Sequence, residues 1–218
     1  MTMRKKDHYA EPDAIARQPM HIISVDLQRD FTTVGGACYH FRPCVVFIES
    51  FVPYCRKHGI QLAEIISDYR QPRPGDPFAH CVPGTPGYES LLPADVKHPQ
   101  AWVKCMHSPV WVRKNGGWAG QKPGAPYPDP KGFTNWLATV VGTPEDNKTI
   151  ILIGLTLDCC VLCTAQELFF RGYRVEFLVE AVDTYSGSHE EKQSLIKSPL
   201  ANWGRPVFWQ EIREKLIP

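Results

Sequence analysis

Four apolar runs, each separated from the next by helix-like or turn-rich chain, restrict the architectures open to this protein. "HIISVDL" is apolar without alternation up to Asp26, the pattern of a strand covered on both faces. "IQLAEIISD", closing on Asp68, reads as a second strand, "TIILIGL" as a third and "RVEFLVEAV" as a fourth. Between them the period changes. "CVVFIESFVPYCRKHG" sets Val45, Ile48, Phe51 or Val52 and Cys55 on one helical face, with Gly59 as its stop. "KGFTNWLATVVG", "CVLCTAQELFFRGY" and "SHEEKQSLIKS" read as further helices, and "PVFWQEIREKLI" as a closing element. "AWVKC" and "VWVRK" are both short strand candidates, of which one suffices for the main sheet. Residues 69–87, rich in proline and glycine, form a loop excursion. Strands alternating with helices require crossovers. The expected fold is a three-layer α/β/α sandwich around a mainly parallel, doubly wound sheet of about six strands, Rossmann-like in plan.

With 218 residues, 43% of them hydrophobic and 22% charged, the chain fits one domain over residues 20–218, with residues 1–19 as a polar, mobile arm. The formal net charge of +1 gives no electrostatic reason to bind nucleic acid or an anionic membrane, and neither is expected as a partner. No apolar run approaches the roughly 20 residues of a membrane span. The start, "MTMRKKDHYA", is basic but carries no apolar signal segment. Eight cysteines in that setting point to free thiols in a reducing, cytoplasmic compartment.

The strand ends carry the chemistry. Asp26, Asp68 and the Cys159–Cys160 pair stand where three strands finish, and in open α/β sheets ligands bind at that edge. The segment "LTLDCCVLCTAQEL" is the densest of these. If Asp158 caps the helix, Cys159 and Cys160 open it, where unpaired N–H groups and the helix dipole lower a thiol's pKa. Cys163, one turn further, is expected against the sheet. Other readings stand beside a nucleophile. All three thiols could be small core residues, or "CVLC" could be a redox pair of Cys160 and Cys163. Zinc is disfavoured, because the three thiols lie within five residues and no second ligand pair follows. Among the aromatics Phe31, Trp111, Trp118 and Trp136 are candidates for a pocket wall, and Phe31 and Trp118 are the two selected.

"GLTLDCCVLCTAQELFFRGYRV" resembles the nucleophile segment of the isochorismatase-like cysteine hydrolases, the superfamily that includes nicotinamidases. In that pattern Cys159 takes the variable position and Cys160 the nucleophile's. "VDLQRDFTTVGGA" is similar to the family's first strand, with its catalytic acid at Asp26 followed by Gln28, Asp30 and Phe31. "HCVPGTPGYE" resembles a nicotinamidase loop. These motifs run from residue 21 to about 185, in the family's order.

The resemblance implies a hydrolase that cleaves a C–N bond of a small amide or carbamoyl compound through a Cys160 thioester. Its triad is Asp, Lys and Cys, with Asp26 as the proton acceptor and the lysine holding two anions in one pocket. It also implies an oxyanion hole at the N–H groups of Thr156 and Cys160, a non-proline cis peptide at Leu155–Thr156, and a homo-oligomer. For the lysine, "VRKNGGWAG" selects Lys114 by local motif, and Lys104 in "AWVKC" is the alternate. The nicotinamidase metal ligands would fall on Asp68 and His80, but Arg70 stands where the first histidine belongs, and a guanidinium cannot ligate a cation. No cofactor is therefore favoured, and zinc or another divalent metal is the exception to test. Arg70 is placed instead in the substrate pocket, where it would favour a carboxylate or polarised carbonyl. The alternatives are a thiol–disulfide oxidoreductase using Cys160 and Cys163, and a noncatalytic member that acts by binding.

Overall fold

A computed structural model describes residues 20–71, 78–146, 148–198 and 202–216. The arm expected at residues 1–19 lies outside the described residues. In chain order the elements are β1 (Met20–Val25), α1 (Arg29–Thr32), α2 (Pro43–Lys57), β2 (Ala63–Ser67), β3 (Trp102–Lys104), β4 (Trp111–Val112) and β5 (Tyr127–Pro128). They continue with α3 (Pro130–Val140), β6 (Thr149–Leu155), α4 (Cys160–Phe170), β7 (Arg174–Asp183), α5 (His189–Lys197), β8 (Arg205–Val207) and α6 (Trp209–Ile212).

Six strands form one sheet in the order β3-β2-β1-β6-β7-β8, and every neighbouring pair is parallel. Of the two short candidates, "AWVKC" supplies β3 of this sheet. "VWVRK" supplies β4, which pairs antiparallel with β5 in a separate ribbon. The closing element divides into β8 and the short α6.

Strand parity sorts the core into two layers. On one face Ile23, Val25, Ile150 and Leu152 pack with Phe133 and Leu137 of α3 and Val161, Ala165 and Leu168 of α4. On the other, Ile22, Ile151 and Ile153 pack with Ile48, Phe51 and Cys55 of α2 and Ile212 of α6. The helical face expected for α2 is thus present at three of its positions, but Cys44 takes the buried place assigned to Val45. Burial of each such side chain is worth about 1.5–3 kcal/mol, which is why the continuous apolar runs cannot be surface strands.

Two features of this sheet position the site. The strand order reverses between β1 and β6, so a crevice opens above their C-terminal ends. Gly154, near the end of β6, has φ +110, and a Cβ there would run into the backbone carbonyl of Val25. Glycine lets β6 close onto β1 just below Asp26. Among the described residues no helix is long and apolar enough to cross a membrane.

Candidate active site

Asp26 ends β1 in the left-handed region, at φ 51, with its N–H on the carbonyl of Ile65 at 2.9 Å. Aspartate tolerates that conformation better than most residues. Its carboxylate is buried, yet both oxygens are satisfied. Oδ1 accepts from Ser67 Oγ at 2.8 Å and Oδ2 from Lys104 Nζ at 2.7 Å.

Lys104 ends β3, two strands away from β1, and its side chain crosses over β2 to reach the crevice. Its ammonium touches Asp26 Oδ2, Ser67 Oγ at 2.7 Å, Tyr69 Oη at 2.6 Å and Cys160 Sγ at 3.2 Å. Burial by itself would lower its pKa, but Asp26, then Cys160 and Tyr69, carry it well above the ordinary value. It is a permanent cation. Lys114, the lysine selected from local motif, is exposed in the turn after β4 and joins none of these groups. That reading is corrected: the strand that enters the main sheet is the one ending in Lys104.

Cys160 is the first residue of α4, and its sulfur lies beside Lys104 and 3.4 Å from Tyr69 Oη. The expected lowering of its pKa by the helix terminus does not hold. Burial pushes the thiol up to about 12, although Lys104 and the Tyr69 hydroxyl pull it down. In the resting protein Cys160 is a thiol. Asp158 does not cap α4; Cys159 occupies the N-cap, and Asp158 Oδ1 accepts from the N–H of Tyr185 at 3.0 Å. Cys163 is half-buried rather than packed flat on the sheet. All eight cysteines are among the described residues and none forms a disulfide. The Leu155–Thr156 peptide is cis.

Parity along "ISDYR" decides the neighbouring roles. Ser67 and Tyr69 turn toward Lys104, so Asp68 and Arg70 turn away. Arg70 Nε donates to Asp68 Oδ1 at 2.8 Å, and its Nη2 pairs with Asp68 Oδ2. Its other N–H groups donate to the carbonyls of Asn115, Trp118 and Gln121 at 2.8–3.0 Å. The guanidinium fastens the 115–121 loop to β2. It does not line the pocket, and the expectation that it meets substrate is corrected. Asp68, with both oxygens held by Arg70 and a further bond from Gly117 N at 3.0 Å, has no lone pair set aside for a cation. Among the described residues no group of three or more His, Cys, Asp or Glu is arranged to hold a metal ion. The donor set does not fit one.

A cavity of about 420 Å³ opens above the cluster, with Asp26, Tyr69, Thr156 and Cys160 in its lining. Phe31 is a wall, as expected. Trp118 is not, being 61% exposed, while Trp111 is exposed on β4 and Trp136 belongs to the core. The remaining walls include Phe78, His80, His107 and Tyr185. The His80 ring stands edge-on to Phe31, at 5.5 Å, and to Tyr69, at 5.0 Å, with Nδ1 3.3 Å from the carbonyl of Phe78. Buried Arg42 donates to the carbonyls of Phe31 at 2.9 Å and Tyr185 at 2.6 Å, tying two walls together. A larger groove of about 1140 Å³, at the opposite edge of the sheet around Thr149, Arg174 and Arg205, holds none of these groups. Ser67 and Tyr69 went unnoticed in the sequence. The signal was available, because residues 67 and 69 share the strand face that points at the end of β3.

Comparison with solved structures places this architecture. An isochorismatase-like hydrolase from Alkaliphilus metalliredigens superposes with a TM-score of 0.58 at 18% identity, over 93% of this chain and 98% of that one. The fold is isochorismatase-like. Pyrazinamidase of Pyrococcus horikoshii, solved in complex with zinc, shares this fold at TM-score 0.58 and 20% identity, over 87% of this chain and 98% of its own. A cysteine hydrolase from Pseudomonas syringae pv. phaseolicola does so at 0.58 and 17%, over 93% and 94%. No family model and no curated protein matches the chain. Within this isochorismatase-like fold, Asp26, Lys104 and Cys160 stand at the C-terminal ends of β1 and β3 and just after β6.

Proposed function

We propose that this protein is a cysteine hydrolase that cleaves the C–N bond of a small amide or carbamoyl compound. One observation carries the reading: a single buried ammonium touches both the Asp26 carboxylate, at 2.7 Å, and the Cys160 sulfur, at 3.2 Å, beneath a closed-sided cavity. In this mechanism Cys160 Sγ attacks the carbonyl carbon as its proton passes to Asp26. Because the resting thiol is protonated, transfer accompanies attack instead of preceding it. Lys104 compensates the negative charge that moves between sulfur and carboxylate. N–H groups of Thr156 and Cys160 hold the oxyanion. Asp26 then gives its proton to the departing amine and activates the water that hydrolyses the thioester.

The chemistry needs no resident metal, since Asp68 is committed to Arg70. The substrate is neutral and planar. Arg70 is withdrawn from the cavity, Lys104 is spent on its own partners, and the walls are aromatic, with Asp158 adding a negative charge. A panel of small amides and carbamoyl compounds, neutral and anionic, assayed for ammonia release tests the reading. Turnover of a neutral member that vanishes in Cys160→Ala is expected. Release that is unchanged in Cys160→Ala would overturn it.

A further inference from the structure

An ammonium has three N–H donors, and Lys104 has three short oxygen contacts. Asp26 Oδ2 can only accept, and Ser67 Oγ gives its own proton to Asp26 Oδ1, so it accepts from Lys104. Tyr69 Oη, at 2.6 Å from Nζ, is the third acceptor. The sulfur at 3.2 Å is then a fourth neighbour, attracted by the charge but without an N–H of its own. A thiolate formed there is held by Coulomb attraction but is short of one directed donor.

Tyr69 is placed to supply it. Its hydroxyl, having accepted from Lys104, keeps one proton and faces two acceptors, the Met106 carbonyl at 3.0 Å and Cys160 Sγ at 3.4 Å. The ring is 1% exposed and fixed by the Lys104 ammonium, 4.8 Å from its centroid, and by His80. Rotation of the O–H bond is therefore the freedom that remains. We propose that Tyr69 is a switchable hydrogen-bond donor to the nucleophile: its proton rests on Met106 while the sulfur is a thiol and turns to the sulfur as the thiolate forms. The S–H bond breaks and an O–H bond forms on Asp26, while Tyr69 keeps its own proton throughout. A carbonyl is a neutral acceptor and a thiolate a charged one, so the preference reverses as charge arrives. The direction agrees with the hydroxyl's pull on the Cys160 titration.

The inference rests on Cys160 as the nucleophile, and its test needs no substrate. Tyr69→Phe removes the hydroxyl and keeps the ring. Alkylation by iodoacetamide is followed from pH 6 to 11, with each cysteine read separately by peptide mass spectrometry. In Tyr69→Phe the Cys160 profile should move about one to two pH units higher, slowing its alkylation near neutrality about 10–100-fold. Cys163, half-buried one turn along, should keep its profile. An unmoved Cys160 profile, or an equal shift at Cys163 that signals general loosening, would overturn the proposal. Should Tyr69→Phe fail to fold, 3-fluorotyrosine installed at position 69 is a stronger donor of nearly the same shape. It should shift the Cys160 profile to lower pH, and no shift overturns the proposal. If no amide in the panel is turned over while the Tyr69→Phe shift is seen, the hydrolase reading fails and the hydrogen bond stands.

Discussion

Lys104 and Asp26 form an ion pair at 2.7 Å with both side chains at most 1% exposed. Removing one partner of such a pair strands the other's charge, at a cost of about 3–5 kcal/mol. Lys104→Met is expected to lower stability in urea by about that amount and to abolish amide turnover. The double variant Asp26→Asn with Lys104→Met should recover part of the stability and none of the turnover. Lys114→Met, on an exposed turn, should change stability by less than about 0.5 kcal/mol and leave turnover intact.

The three clustered thiols should separate cleanly. Cys160→Ala is expected to abolish turnover, whereas Cys159→Ser and Cys163→Ser retain most of it, since only the Cys160 sulfur touches Lys104. A Cys163→Ser variant as inactive as Cys160→Ala would favour the dithiol reading. Ammonia release by the three purified variants decides it.

Alkaline pH should weaken the fold through the same cluster. Cys160 titrates near 12 when folded, and Lys104 well above its ordinary value, so the folded state binds both protons more tightly than the unfolded chain does. A raised folded pKa gives stability that is complete below the unfolded value, about 8.5 for a thiol, and is lost as pH rises through the folded value. Urea midpoints should therefore fall from about pH 9 upward. Cys160→Ala should fall less steeply than the parent.

Arg70 offers a test of the metal-free reading. Elemental analysis of the purified protein should find no stoichiometric metal, and a chelator should leave turnover unchanged, because the guanidinium holds both oxygens of Asp68. Arg70→Ala should release the 115–121 loop, seen as faster limited proteolysis between those residues. One metal ion per chain, lost in His80→Ala, would contradict this.

Gly154→Ala should be far more damaging than an ordinary glycine replacement. The position combines φ +110 with a Cβ that collides with the Val25 backbone, and strain plus overpacking should cost about 3 kcal/mol or more. Gly35→Ala, at φ +88 with open space around its Cβ, should cost about 1 kcal/mol. Urea midpoints of the two variants make the comparison.

By itself the sequence determined the layers, the parallel sheet and two of the three clustered groups. Continuous apolar runs must be covered on both faces, and the residue ending such a run must emerge at the sheet's edge, so Asp26 and Cys160 were legible one strand at a time. Lys104 was not. "AWVKC" and "VWVRK" are too short for their patterns to differ, and only pairing of residues 102–104 with β2 decides which lysine can reach across to β1. Tertiary structure likewise decided that Ser67 and Tyr69 face the cluster while Asp68 and Arg70 face the 115–121 loop, because the parity of a strand's end acquires meaning only when its neighbours are in place. It also reversed the sign of the Cys160 shift. A helix terminus can be read from neighbouring residues, but desolvation depends on everything packed around the sulfur, and at Cys160 it is the larger effect.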